Sequence, residues 1–92
     1  MPSLFTVGGY RFFFWSNEEG EPIHVHLSKG APSPNATKLW LTKSGGCVVA
    51  HNKGQIPEKD LRELVRIAAA QHDLIYESWK KYFDVEDVSF IC

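Results

Sequence analysis

Cysteine is scarce in this sequence. Cys47 and Cys92 are the two among 92 residues, too few for a disulfide framework and without the paired spacing of a zinc knuckle. Long apolar runs are missing as well. No stretch approaches the roughly 18 residues a membrane-spanning helix needs, and no signal-peptide succession opens the chain. A reduced, cytoplasmic protein with no membrane association is the expectation. There is no surplus of one charge sign, with 10 Lys and Arg against 11 Asp and Glu and a net charge of −1. That balance argues against a polybasic nucleic-acid module but leaves room for one basic face. Phosphate-binding glycine loops, zinc-protease and nucleophile-elbow motifs and the zinc-deaminase signature are all absent. At this length the chain makes a single domain, residues 1–92, too short for a dinucleotide-binding enzyme or a barrel.

Aromatics are plentiful: three Trp, three Tyr and six Phe supply bulky core material to a small chain. Charge is unevenly placed. Residues 27–57 carry Lys29, Lys38, Lys43 and Lys53 and no acid. Such a segment is either a basic sheet edge facing an anionic partner or a set of lysine gatekeepers on edge strands. The first half reads as strands between about residues 4 and 50. Leu4–Val7 is followed by the Gly8-Gly9 turn, and Tyr10–Trp15 by a polar loop, Ser16–Gly20. Ile23–Ser28 alternates, with Ile23, Val25 and Leu27 on one face and His24, His26 and Ser28 on the other. Thr37–Thr42 and Cys47–Ala50 complete a meander, since no segment before residue 57 could supply a crossover helix.

From Pro57 the period changes to three and four, through Leu61, Leu64, Val65, Ala68, His72, Ile75 and Trp79. A single helix over residues 58–83 would be roughly 39 Å long, against a domain diameter near 32 Å. It must therefore bend or break near Gln71-His72-Asp73, or project into a partner. The expected architecture is α+β: a curved antiparallel sheet of four or five strands on one long, bent C-terminal helix, with a last strand at 88–91. The helix stripe should face Phe12 or Phe13, Val25, Leu39 and Val48.

Glu18–His26 (EEGEPIHVH) is the stretch that can carry chemistry. Histidines two apart on a strand point the same way, so their imidazoles can share one metal or bracket one anion. Zinc or nickel suits such donors. A third ligand could come from His72, His51, Cys47 or one of Glu18, Glu19 and Glu21; the set carried forward is His24, His26, His72 and Glu19. The competing reading is a half-buried strand with two hydrogen-bonded histidines. His72 lies on the apolar stripe of the helix, where a core-edge histidine bonded to a carbonyl is the ordinary case. Cys47 is a nucleophile candidate only if its thiol is deprotonated. Lys38, Lys43, Lys53, Arg62 and Arg66 are the residues a nucleic-acid contact would use, although nucleic acid is not the expected partner.

The order of these features resembles the small bacterial family called domain of unknown function 4160. The family's paired-histidine motif reads Glu21-Pro22-Ile23-His24-Val25-His26 here, its proline turn reads Gly54-Gln55-Ile56-Pro57, and its helix carries His72 and Trp79. The resemblance covers roughly residues 4–83. It implies no established activity or cofactor, and it points to His24, His26, His72 and Trp79 as the lining of a ligand or partner groove. It also implies an accessory or regulatory protein with a protein partner or a homodimer, since the family's genes often lie beside small partner proteins, toxin–antitoxin-like ones among them. A metal-dependent enzyme using His24 and His26 and a weak nucleic-acid-binding module are the alternatives.

Overall fold

Residues 3–18 and 20–92 are described by a computed structural model of the chain. Period-two alternation and glycine turns give five strands in meander order: β1 (Ser3–Val7), β2 (Tyr10–Phe13), β3 (His24–Lys29), β4 (Thr37–Leu41) and β5 (Cys47–His51). All neighbours are antiparallel. The tightest connection pairs Val7 with Tyr10 across Gly8 and Gly9, whose φ values of +54° and +85° suit a two-residue hairpin turn. Across the sheet Phe13 stands opposite His26, and His24 opposite Trp40. Phe12 pairs with Leu27 and Val25 with Leu39 on the other face.

The helical layer corrects the sequence expectation. There is no single bent helix: α1 (Glu58–Ala70) and α2 (His72–Phe83) are separate, divided at Gln71. Gln71 leaves helical geometry at φ −101° and ψ 19°. Its amide is shared between the carbonyls of Ile67 and Ala68, 3.0 and 3.2 Å away, the bifurcated pattern of a helix end. Size supplies the physical reason. The longest dimension of the molecule is 34 Å, shorter than the roughly 39 Å that residues 58–83 would need as one rod. Splitting the rod lets Leu64 and Ala68 of α1 and Ile75, Trp79 and Phe83 of α2 all reach one core.

That core joins them to Phe12, Val25, Leu27, Leu39 and Leu41. Each fully buried aliphatic or aromatic side chain there contributes about 1.5–3 kcal/mol relative to exposure. Val48, expected against the helices, is instead exposed. Residues 88–91 form no strand. Their segment crosses the end of the sheet, where Ser89 O accepts the Ile23 amide at 2.8 Å and Cys92 O accepts the Lys43 amide at 2.9 Å.

Candidate metal site

The face of β3 opposite Val25 and Leu27 would expose two imidazoles if nothing covered it. The connection between β2 and β3 prevents that. It turns at Ser16-Asn17 and is pinned by Glu18, whose Oε1 accepts the Trp15 amide at 2.9 Å. This directs the other carboxylate oxygen onto β3, where Glu18 Oε2 lies 2.7 Å from His26 Nε2 and 2.9 Å from His24 Nε2. Among the described residues, Glu18, His24 and His26 form a group whose ligand atoms all lie within 4.8 Å of one another. All three are buried, His24 completely.

Hydrogen bonding places a proton on one nitrogen of each ring. Pro22 O can only accept, so His24 Nδ1, 2.9 Å away, carries a proton and donates it. In a neutral His24 ring, Nε2 then presents a lone pair. It lies within 3 Å of the carboxylate yet lacks a hydrogen-bond partner. His26 Nε2 is aligned with Glu18 Oε2 and donates to it, which leaves His26 Nδ1 buried and unpartnered. Burial alone would raise the Glu18 carboxyl. The adjacent imidazoles, His24 before His26, and the Trp15 amide outweigh it and hold the group well below the usual carboxylate range.

Aromatic rings wall the cluster. Phe13 stacks on His26 at 5.5 Å, while Trp40 and Trp79 meet His24 edge-on at 5.6 and 5.2 Å. Lys38 closes one side, its Nζ 2.7 Å from Glu21 Oε1 and 4.2 Å above the Trp40 ring. A 450 Å³ pocket lined by Trp15, Asn17, Glu18, Glu21 and Pro34 adjoins the carboxylate.

The structure thus brings His24, His26 and Trp79 together and keeps His72 apart. His72 Nε2 donates to Thr42 O at 2.8 Å, and its ring stacks on Phe90. Glu19 lies outside the described residues. Glu18, one of three carboxylates the sequence offered, occupies the third position; its place three residues after Trp15 was the signal, because a carboxylate at that spacing can close a turn on the earlier amide. The aromatic walls, Phe13 and Trp40, were not among the expected site residues. Cys47 is no nucleophile here: burial pushes its thiol up to about 11, and Sγ donates to Val65 O. His51 sits half-buried at the end of β5.

Lys38 is paired with Glu21, Lys43 and Lys53 occupy the turns before and after β5, and Arg62 and Arg66 lie on the exposed face of α1, Arg66 beside Glu63. No helix of the described residues is long and apolar enough to cross a membrane.

No curated protein and no solved structure matches the chain. Residues 9–80, from the first hairpin turn through Trp79, match the family described as Domain of unknown function (DUF4160). They contain every residue of the buried cluster, and the chain belongs to that family.

Proposed function

We propose that this protein is a small binding module in which Glu18, His24 and His26 hold one divalent transition metal, zinc or nickel, beneath the β2–β3 loop. The occupied site fixes that loop for recognition of a protein partner. The observation that carries this reading is the contact between His24 Nε2 and Glu18 Oε2, 2.9 Å apart without a hydrogen bond. With Nδ1 committed to Pro22, a neutral His24 sets a lone pair against a carboxylate. A cation shared with His26 removes that conflict. The Nδ1–H bond to a backbone carbonyl is also the outer contact that orients metal-bound histidines. Zinc ligands at about 2.0–2.1 Å in a tetrahedron stand about 3.3 Å apart. Glu18 would therefore retreat by roughly half an ångström to admit the ion.

The test is calorimetric titration of untagged, chelator-treated protein with zinc and with nickel, in two buffers of different ionisation enthalpy. Near-stoichiometric uptake is expected, with His26 Nε2 giving up the proton it donates to Glu18 in order to bind metal. Metal at about 100 times its Kd should raise stability by about 2.7 kcal/mol. Glu18→Gln keeps the side-chain volume and should weaken uptake at least tenfold while remaining folded by circular dichroism. Absence of uptake by the folded wild type, or uptake unchanged in Glu18→Gln, overturns the reading.

A metal-dependent hydrolase is the second reading, and the pocket sharing Glu18 is what favours it. Three protein donors leave a fourth tetrahedral position for water. Hydrolysis of an activated ester by zinc-loaded protein, lost in Glu18→Gln, would support it.

A further inference from the structure

Among the described residues β5 pairs with β4 alone and forms one edge of the sheet, with α1 packed on it where Cys47 Sγ meets Val65 O. An open edge presents a row of unused amides and carbonyls, a template for another strand. Two neighbouring valines, Val48 and Val49, are 43% and 42% exposed on its opposite faces, so an added strand would find apolar side chains on both. The edge is framed by positive charge, with Lys43 exposed in the turn before it and Lys53 exposed in the turn after it. Residues 27–57 carry no acid of their own; the acid that shares a pocket with Lys53 is Asp60 of α1. His51, at the end of β5, registers this surrounding: burial, then the charges of Lys53, Lys38 and His26, lower its pKa.

These charges decide between occupants. A second copy pairing antiparallel through β5 would set the Lys43 end of one chain against the Lys53 end of the other, like charge facing like at both ends. An extended segment rich in Asp and Glu meets complementary charge at both. Nucleic acid fits less well. Single-stranded nucleic acid is held by exposed aromatic platforms, whereas Tyr10, Phe12 and Phe13 are buried and the edge offers valine and backbone.

We propose that the open edge of β5 takes an extended acidic segment of a partner protein as a sixth strand of the sheet. Main-chain hydrogen bonds would hold the segment, Val48 and Val49 would receive its apolar side chains, and Lys43 and Lys53 would select its charge. This is a second partner surface of the module proposed above, besides the β2–β3 loop. The surface is separate from Glu18, His24 and His26, so titrating both zinc-loaded and chelator-treated protein tells a failure of one idea from a failure of the other.

The experiment uses the full ¹⁵N-labelled chain and a ten-residue peptide of alternating valine and glutamate. A valine–lysine peptide and a ten-nucleotide oligothymidine serve as comparison probes. Saturable amide shifts centred on Cys47–His51, with slowed hydrogen exchange there, are expected for the acidic peptide. Affinity should fall as salt rises and drop about tenfold or more in the Lys43→Glu/Lys53→Glu variant, whose two substitutions are at exposed turn positions. The Lys43→Glu variant alone should self-associate in sedimentation, since it creates the opposite charge that Lys53 of a second copy lacks in the wild type. Lack of saturable binding, shifts mapping away from β5, equal binding of the lysine peptide, or tighter binding of the oligothymidine would each overturn the proposal.

Discussion

Truncating Trp79 to alanine tests the packing that carries both the core and the candidate site. The indole is 2% exposed. It touches rings from three different parts of the chain, with Phe83 at 4.4 Å, Phe14 at 5.2 Å and His24 at 5.2 Å. The loss therefore combines transfer and cavity terms, about 3–5 kcal/mol for a buried Trp. A domain of this size has roughly 5–14 kcal/mol in total, so Trp79→Ala should lie near the edge of folding. Each kcal/mol moves the melting temperature by about 4–8 °C at this chain length, and a drop of at least about 12 °C is expected. Thermal and urea unfolding followed by far-ultraviolet circular dichroism measure it; Trp15 and Trp40 remain as fluorescence reporters. Trp79→Phe, which retains a ring against Phe14, should lose distinctly less. A change below about 1 kcal/mol with an unaltered urea slope would refute the reasoning, because it would mean that the indole is not filling the core.

The Glu18 carboxyl, held low in the fold, binds fewer protons there than in the unfolded chain, where its pKa is about 4.3. Its contribution is therefore full above that value and is lost as pH falls towards the folded pKa; melts from pH 7 to pH 3 should decline more steeply in wild type than in Glu18→Gln. Iodoacetamide at pH 8 should label exposed Cys92 and spare Cys47, whose thiol is pushed up to about 11; peptide mass mapping reads this directly, and rapid Cys47 labelling in native protein would contradict its burial. A Cβ on Gly54 would come within 2.8 Å of Thr37 Oγ1 and 3.2 Å of the Thr37 amide. Thr37 Oγ1 is committed to Asn52 at 2.6 Å and cannot easily retreat, so Gly54→Ala should cost about 1–3 kcal/mol in urea denaturation.

The strands and the paired histidines were legible because they depend on local geometry. Alternation from Ile23 to Ser28 puts His24 and His26 on one side of any strand, whatever the strand packs against. Gly8-Gly9 sets a tight hairpin through backbone freedom alone, and the three-and-four spacing after Pro57 sets helix. The sequence alone therefore determined the strand meander before Pro57, the helical period after it and that two imidazoles share a face, but the strand it offered at 88–91 does not form. It could not determine where α1 ends. The apolar period runs through Gln71 without interruption, and the break there reflects the size of a core that Leu64, Ala68, Ile75 and Trp79 must all reach. Nor could it choose among Glu18, Glu19, Glu21 and His72 as the third member of the cluster. That choice belongs to the path of a loop across the sheet, set by the Glu18 contact with the Trp15 amide. His72 was diverted by a carbonyl at Thr42, thirty residues away in the chain. Period and propensity act between neighbours, whereas the cluster is made by groups that meet only when the sheet, the loop and α2 are packed together.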